Sequence, residues 1–383
     1  MRTVPTIFIT LALGATTTGA PGVATAAVAP VADSAARGMG NVYALTNDPM
    51  GNAVVAYKRD SMGMLMMSGT YLTGGKGASL HGAVVDRTAS QGALAADRRH
   101  GKLYAVNPGS NTLTVFSMTN GMLKRTQTVS THGTFPVSVA VSPDGMRVFV
   151  LNARRGGSIQ GYQLVDGRLV AKMSWNRKLM LDTMSGTDME FVSTPGQVGF
   201  SPDGRNVIVT TKASSHSILV WPMTKDGAFR TEPTVNTIAG AVPFAFDFDM
   251  HGRLNVANAG TGTVGTYGIR SSGMLMRYGQ TPTKGEAVCW LAVHDDLIVS
   301  SNTGSNTVTS LRSRAAAPVR LGVMKTGAAP VDSTFSRDGM YFYVQTGGTN
   351  MIETYRVSAT GVLKKMDADK LPGPIGSEGI VAW

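Results

Sequence analysis

The side chains that could do chemistry in this sequence lie beside short β-rich runs that recur along the chain. Four are carboxylates, two are cations and one is an indole: Asp48, Glu286, Asp332, Glu378, Arg154, Lys212 and Trp290. A carboxylate can act as a general base toward water, and a lysine or arginine can hold a carboxylate or phosphate group. The sequence therefore predicts a site for a small polar ligand, provided that the fold brings these residues together.

Two roles are predicted around this site. The candidate catalytic bases are Asp332 and Glu286. The candidate ligand-binding residues are Lys212, Arg154, Gln197, Trp290 and Asp48. The alternative is that these side chains form hydrogen bonds at a rim or between units of the fold, because buried polar groups need partners. The sequence leaves both interpretations open.

The elements that must position these residues are clearest between 134 and 173, where the sequence reads TFPVSVAVSPDGMRVFVLNARRGGSIQGYQLVDGRLVAKM. Four β-rich runs are separated by turn signals, among them Ser142-Pro143-Asp144-Gly145. Valine and isoleucine favour a half-buried pleated surface, proline fixes φ and glycine accepts a positive φ. One sheet of this kind cannot bury both faces alone, so it needs neighbouring copies.

The unit recurs seven times along the chain. Its third run ends at Tyr57, Phe116, Tyr162, Trp221, Tyr267, Leu311 and Tyr355, with spacings of 59, 46, 59, 46, 44 and 44 residues. Seven copies of a four-strand unit predict an all-β fold, the seven-bladed β-propeller. The two longer spacings predict insertions near 73–90 and 174–193 rather than extra blades.

The two ends of the repeat predict that the ring closes. The first copy, from residue 41, lacks an inner strand, whereas residues 374–383 follow a complete seventh copy. We expect these last residues to supply the inner strand of blade one, which removes an open sheet edge. The start of each first strand and the residue after each second strand then share one face near the channel. We call this the entry face, and the opposite side, with the Ser-Pro-Asp-Gly turns, the turn face.

The N-terminus is typical of a secretory signal peptide, with Arg2 before a weakly apolar stretch and a small-x-small site at Ala24-Thr25-Ala26. We expect 1–26 to be a signal peptide, 27–40 a linker and 41–383 the propeller, secreted to the extracellular side or associated with the cell envelope. The sequence contains no run of 18 apolar residues, so no transmembrane span is expected. The single cysteine, Cys289, lies in an apolar run and is expected to be buried.

The net charge of +11 could attract an anionic polymer. However, the basic residues are scattered over different blades, and no basic stripe with interleaved aromatic residues indicates a nucleic-acid site. We therefore expect a small-molecule ligand as the partner, keep an anionic envelope polymer as a second candidate, and expect no nucleic acid.

Signals for a metal or cofactor are weak. The six histidines show no metal-binding spacing, and no P-loop, GxSxG elbow or dinucleotide fingerprint is present in the sequence. Methionines cluster at Met62, Met64, Met66 and Met67. Thioethers can bind Cu(I), but more often they fill gaps between sheets. We expect no metal and no cofactor.

The repeats also resemble a known family. The segments PVSVAVSPDGMRVFVLN at 136–152 and PGQVGFSPDGRNVIVTT at 195–211 resemble lactonase-type seven-bladed propellers. That family includes bacterial cycloisomerase-like 6-phosphogluconolactonases and fungal carboxymuconate-lactonizing enzymes. Segments 40–60 and 103–116 resemble secreted, actinobacterial-style members. The resemblance implies a propeller fold and hydrolysis of a sugar-type lactone, the possible ligand.

The active-site pattern of that family is not retained. The family's Pro-His pair corresponds to Pro136 followed by Val137. Its Arg-His pair corresponds to Gly196 and Gln197, and its Asn-Glu pair ends here in Lys212. The base, the anion-binding arginine and the acid of the family are therefore all replaced.

Two functions follow from these observations. The first is a lactonase in which Asp332 or Glu286 activates water at the channel mouth, while Lys212 or Arg154 holds an anionic group. The second is a non-catalytic binding or scaffold propeller of the cell envelope that uses the same mouth or its rim. The family resemblance favours the first function, and the replaced residues favour the second.

Overall fold

The computed structural model is a closed ring of seven four-stranded antiparallel sheets, and it describes residues 40–224 and 229–383. The predicted seven-bladed propeller is therefore confirmed. The predicted signal peptide, 1–26, lies outside the described residues, as does the predicted linker apart from Gly40, which begins the first strand.

Each blade runs from an inner strand at the channel to an outer strand at the periphery. Blade 1 contains β1 (Gly40–Leu45), β2 (Ala53–Arg59) and β3 (Leu65–Leu72). Blade 2 contains β4 (Leu94–Asp97), β5 (Lys102–Asn107), β6 (Thr112–Thr119) and β7 (Met122–Ser130). Blade 3 contains β8 (Pro136–Val141), β9 (Arg147–Asn152), β10 (Ser158–Val165) and β11 (Arg168–Lys178). Blade 4 follows a one-turn helix, α1 (Glu190–Ser193), and contains β12 (Gln197–Phe200), β13 (Asn206–Thr210), β14 (Ser217–Pro222) and β15 (Thr234–Thr237).

The remaining blades have the same strand order. Blade 5 contains β16 (Pro243–Phe248), β17 (Leu254–Asn258), β18 (Thr263–Ile269) and β19 (Leu275–Pro282). Blade 6 contains β20 (Val288–His294), β21 (Leu297–Asn302), β22 (Thr307–Arg312) and β23 (Val319–Lys325). Blade 7 contains β24 (Pro330–Phe335), β25 (Tyr341–Thr346), β26 (Met351–Val357) and β27 (Leu363–Lys370). Three single-turn 3-10 helices span Pro108–Ser110, Lys212–Ser214 and Thr303–Ser305.

The ring is closed by the last strand, β28 (Ile380–Ala382), which pairs with β1 as the inner strand of blade 1. Val42 lies opposite Ala382 and Ala44 opposite Ile380. The backbones of Asn41 and Trp383 exchange two further hydrogen bonds, of 3.1 and 2.7 Å. Closure by the C-terminal strand is therefore confirmed. Because β28 pairs with the inner edge of β1, that edge of blade 1 is not left open.

The blades pack face to face, so their second strands are buried on both sides. Every residue of β5, β21 and β25 is buried, whereas the outer strand β7 is mostly exposed. The tyrosines that mark three of the repeats, Tyr57, Tyr162 and Tyr355, also link neighbouring blades. The hydroxyl of Tyr57 donates to the carbonyl of Lys370 in blade 7, and that of Tyr162 donates to Ser130 in blade 2. The repeating aromatic residue is thus a structural feature of the ring.

The turns between first and second strands are held by their own side chains. Ser142 Oγ bonds to Asp144 and accepts a hydrogen bond from the N–H of Arg147, while Gly145 has a φ of 72°. Positive φ favours glycine, which explains the last residue of the Ser-Pro-Asp-Gly turn. The same arrangement recurs at 201–204 and 336–339. These turns define the turn face.

The methionine cluster does not fill gaps between sheets. Met62 is 64% exposed, and Met66 and Met67 on β3 are also exposed. The gap-filling interpretation is therefore wrong for these residues, because the outer strand of a blade has no neighbouring sheet on that side. Within residues 40–224 and 229–383, no helix is long and apolar enough to cross a membrane.

Candidate functional site

The entry face of the channel is covered by residues 73–93, which connect β3 to β4 and which we call the plug. This segment includes the first predicted insertion. A connection from an outer strand to the next inner strand crosses the entry face toward the axis, so additional residues there lie over the channel. Blade 7 admits the plug because position 347 is glycine: a Cβ on Gly347 would lie 1.9 Å from the carbonyl oxygen of Val85.

The plug is bonded to several blades around the axis. Thr88 donates from its N–H and its hydroxyl to the Glu378 carboxyl in the chain leading to β28. Ser90 Oγ donates to the carbonyl of Val137 in blade 3 (2.8 Å), and Gln91 N–H donates to the carbonyl of Gly196 beside blade 4 (3.0 Å). Thr88 and Ser90 are fully buried. The plug therefore closes the mouth and is not a surface loop.

Lys212, a predicted ligand-binding residue, lies beneath the plug with 1% of its surface exposed. Its Nζ donates to the carbonyls of Ala89 (2.8 Å) and Phe191 (2.5 Å) and to Thr194 Oγ1 (3.1 Å). An ammonium has three N–H donors, so all of them have partners within the chain. Burial lowers the pKa of Lys212, and the nearby Asp86 carboxyl opposes that shift. The side chain therefore holds the plug and the second insertion together.

Arg154, also predicted to bind a ligand, is paired with Glu190 of α1. Nε and Nη2 of Arg154 donate to the two carboxylate oxygens at 2.6 and 2.9 Å, which is a bidentate geometry. Glu190 is fully buried, and it also accepts the N–H of His81 in the plug at 2.7 Å. These hydrogen bonds and the Arg154 ion pair keep the pKa of Glu190 below its usual value although burial acts in the opposite direction. This pair therefore joins blade 3, the second insertion and the plug.

Gln197 makes hydrogen bonds to a neighbouring blade, and Trp290 makes one to the plug. Gln197 binds both backbone groups of Phe246 in blade 5, accepting at 2.7 Å and donating at 3.0 Å. Trp290 Nε1 donates to the carbonyl of Ser90 at 2.6 Å, and the indole is fully buried. The inner edge of each blade has unpaired backbone groups, so polar side chains from neighbouring blades satisfy them. These contacts fit the hydrogen-bonding interpretation of both residues.

The two candidate catalytic carboxylates have different surroundings. Asp332 is 3% exposed on the inner strand β24, where Oδ1 accepts the N–H of Ser333 at 2.9 Å. Burial raises the pKa of Asp332 to about 7, although hydrogen bonds from Ser333, Gly92 and Ile380 act in the opposite direction. Glu286 is exposed at the rim before β20. Only Asp332 therefore lies in the channel.

Asp48, the last predicted ligand-binding residue, is half-buried on the rim of blade 1. Its carboxylate accepts the N–H of Met50 at 2.8 Å, and its carbonyl accepts the N–H of Gly77 in the plug at 2.8 Å. The structure therefore brings Lys212, Trp290 and Asp332 toward the axis, while Asp48 and Glu286 stay on the rim. The assignment of roles to these residues stays a prediction.

The channel beneath the plug contains a group of four titratable side chains, of which sequence reasoning missed Asp86. Asp86 on the plug, Lys212, Glu378 and Cys289 lie close enough to influence one another. Burial raises the pKa values of both carboxyls and of the Cys289 thiol. The only sequence signal for Asp86 was its location in an insertion that had to cross the entry face.

One oxygen in this group lacks a partner. Among the described residues, Glu378 Oε2 is buried without a hydrogen bond, whereas its Oε1 is bonded to Thr88. The Cys289 thiol is held in its protonated form by the raised pKa, so it is not an activated nucleophile. In the parts of the chain that the structure describes, no group of three or more His, Cys, Asp or Glu side chains is arranged to hold a metal ion.

The comparisons with known proteins agree with this architecture. Residues 42–169 match the family described as Lactonase, 7-bladed beta-propeller. The fold is that of the lactonase-type propellers. A candidate 6-phosphogluconolactonase of Bacteroides uniformis is 18% identical with a TM-score of 0.72, covering 90% of this chain and 99% of its own. The predicted resemblance is therefore confirmed.

Two further structures give similar values. A candidate 6-phosphogluconolactonase of Bacteroides fragilis has a TM-score of 0.71 at 18% identity, over 90% of this chain and 98% of its own. The periplasmic gluconolactonase of Pseudomonas aeruginosa has a TM-score of 0.71 at 16% identity, over 90% of this chain and 99% of its own. No curated protein matches the sequence. At these identities the likeness establishes the fold of a lactonase-type propeller.

The positions at which the resemblance predicts a different active site are closely packed in this propeller. A Cβ on Gly196, where the family has arginine, would lie 2.6 Å from the carbonyl oxygen of Phe244 and 3.0 Å from Thr210 Oγ1. Val137, where the family has histidine, is buried, and its carbonyl accepts the hydrogen bond of Ser90. The plug thus occupies the space that would face those side chains.

Proposed function

We propose that this chain is a non-hydrolytic binding propeller whose entry-face mouth is permanently closed by its own plug. The observation that carries the proposal is the central anchoring of the plug. Thr88, Ser90 and Gln91 bond to groups beside or within different blades and exclude a substrate from the mouth. Lactone hydrolysis needs a water, a base and a carbonyl polarised together, and a closed mouth admits no carbonyl.

The side chains at the mouth support the same conclusion. A ligand site needs donors that are free to bind, yet all three donors of Lys212 already have partners in the chain, and the Nε–Nη2 edge of Arg154 is already bound to Glu190 in bidentate geometry. Replacing those partners with a ligand would leave Glu190 and three buried acceptors unsatisfied, at a cost of about 1–3 kcal/mol for each neutral group. Opening the mouth is therefore unfavourable.

A lactonase hydrolase is the second candidate, and one observation favours it. A buried Asp332 with a pKa of about 7 has the basicity that suits a general base near neutral pH. For this function the plug would have to act as a lid that opens to admit a sugar-type lactone. The two candidates therefore differ in whether the plug opens and whether acid is released.

The experiment measures both quantities on protein that begins at residue 27. In pH-stat assays with phosphorylated and unphosphorylated gluconolactone, we expect acid release no faster than in buffer. In hydrogen exchange, we expect the amides of Thr88 and Gln91 to be as protected as those of the buried strand β25. Acid release that disappears in Asp332→Asn, with rapid exchange in the plug, would overturn the binding proposal in favour of the lactonase.

We also propose that the protein acts outside the cytoplasm, with an anionic envelope polymer as a second candidate partner beside a small molecule. The support is the sequence of residues 1–26, which has the pattern of a signal peptide. Mass spectrometry of protein secreted by an expression host checks this proposal. A mature N-terminus at Ala27 is expected, whereas an uncleaved chain retained in the cytoplasm would contradict it.

A further inference from the structure

The channel is open at its other end, on the turn face. A cavity of about 390 Å³ lies there between the ends of the inner strands. It is lined by residues of β16, β20 and β24, by the turns that follow β4 and β24, and by Gln91 of the plug. This volume is within the range of small-molecule sites. The cavity is separate from the entry face, because the plug and the inner strands lie between them.

Two arginines line this cavity without a carboxylate partner. Arg98 follows β4 and donates from Nη2 to the carbonyl of Ala382 at 2.5 Å, and Arg337 lies in the turn after β24. Among the described residues neither forms an ion pair. Burial lowers the pKa of Arg98, and the nearby guanidinium of Arg337 adds to that shift. Two like charges that face a cavity form a ready site for an anion.

The carboxylates near these arginines are already used by other groups. Asp338, next to Arg337 in sequence, pairs with Arg59 at 3.0 Å, and Asp97, next to Arg98, pairs with His100 at 2.8 Å. Each of the two arginines is thus left without the carboxylate that its own turn could have supplied. Their positive charge is therefore available to a ligand.

The interior of the cavity has unused hydrogen-bonding capacity. Ser333 is 6% exposed and lines the cavity, and its hydroxyl has no hydrogen-bond partner among the described residues. Asp247 also lines it, but its oxygens accept the N–H groups of Phe248 (2.7 Å) and Val293 (3.0 Å). A buried hydroxyl without a partner is costly unless a ligand or water satisfies it.

We propose that the turn-face end of the channel binds a small oxyanion, either a carboxylate or a phosphate, between Arg98 and Arg337. The hydroxyl of Ser333 binds a polar group of the same molecule deeper in the cavity. Asp247 lies on that deeper wall, where it accepts hydroxyl donors and repels a second negative charge. A polyhydroxylated acid or sugar phosphate with its anionic end outward fits this arrangement. The inference gives the proposed binding function a ligand class at a site other than the plugged mouth.

Titration calorimetry with inorganic phosphate, gluconate and 6-phosphogluconate tests the proposal and separates its two sources of anion. We expect saturable binding of at least one probe, and affinity at least tenfold weaker in Arg337→Gln, because removing one partner of a charged hydrogen-bonded pair costs more than 1.4 kcal/mol. Arg98→Gln is expected to have the same effect. Ser333→Ala should weaken the binding of gluconate and 6-phosphogluconate by less than the arginine variants do, and it should leave the binding of inorganic phosphate unchanged, because phosphate has no second polar group to reach Ser333.

Arg205→Gln is the matched control, because Arg205 lies in the corresponding turn of blade 4, is 73% exposed and does not line the cavity. The Arg205→Gln variant should bind each probe with the affinity of the wild type. Binding of none of the probes, or equal weakening in Arg205→Gln and Arg337→Gln, would overturn the proposal. Arg337 makes no hydrogen bond to the ring among the described residues, so its variant tests binding without disturbing closure. A negative result for anion binding at the turn face is distinguishable from a negative result for the proposed function, because lactone hydrolysis and opening of the plug are measured in separate assays.

Discussion

Replacing Lys212 by methionine is the sharpest test of whether this residue anchors the plug or waits for a ligand. Methionine is unbranched and reaches the position of the lysine Cε, so the change removes the ammonium with little other loss of volume at a residue whose φ is 51°. The carbonyls of Ala89 and Phe191 and the hydroxyl of Thr194 lose a charged donor. Removing one partner of a buried charged network costs about 3–5 kcal/mol, and the recovered cost of burying Lys212 reduces this to about 3 kcal/mol.

The assay is hydrogen exchange of the plug amides, together with urea denaturation. A loss of about 3 kcal/mol from the plug raises the exchange rate of the Thr88 and Gln91 amides by about a hundredfold, at tenfold for each 1.4 kcal/mol. Lys178→Met removes a charge from an exposed lysine at the end of β11 and should change neither quantity. If Lys212→Met leaves exchange and stability at wild-type values, the ammonium does not hold the plug and the argument for a closed mouth fails.

Three further predictions concern the channel. Gly196→Arg, which restores the arginine implied by the family resemblance, should destabilise the fold by about 1–3 kcal/mol in urea denaturation, because the space around Gly196 is already filled. Gly51→Ala is its control, since no atom lies within 4 Å of the added carbon. Equal stability of the two variants would contradict the packing argument. Stability should fall as pH rises from about 4 to about 7, since burial raises the pKa of Asp247 to about 6 and of Asp332 to about 7. A carboxyl whose pKa is higher in the folded state stabilises the fold at pH values below its unfolded-state pKa, and this stabilisation is lost as the pH rises through its folded-state pKa. Urea midpoints measured near pH 5 and pH 8 check the sign. Asp247→Asn should reduce the difference between these two midpoints. Cys289 should resist alkylation in the native protein and react after unfolding, because burial raises its pKa; rapid native labelling would refute this.

The ring and its closure could be predicted because each blade repeats a local pattern that is independent of the other blades. Tyr57, Tyr162 and Tyr355 mark the register of three of the blades, and the Ser-Pro-Asp-Gly turns set the direction of their strands. The unpaired first copy and the surplus segment at residues 374–383 predicted closure, because an inner edge without a partner is unfavourable. Such features depend on short-range propensity and repetition, both of which are present in the sequence.

The site was harder to predict because its contacts join residues far apart in sequence. Lys212 and Arg154 were expected near the entry face, but their partners Ala89 and Glu190 belong to two insertions without a repeat pattern. The sequence places the first insertion on the entry face, but it does not indicate which of its residues enter the channel. Arg98 and Arg337 likewise come from turns of different blades, and only the ring brings them to one cavity.

The sequence by itself determined the seven blades, their strand order and the closing strand, because these follow from local propensity and the need to pair every sheet edge. Only the tertiary structure decided which end of the channel is accessible. Thr88 and Ser90 are small polar residues that would suit any surface loop, and they become the centre of the plug because carbonyls and a carboxyl from distant blades surround them. That convergence depends on the assembled ring. Because it closes the entry face, where the sequence predicted the site, the proposed binding site lies on the turn face.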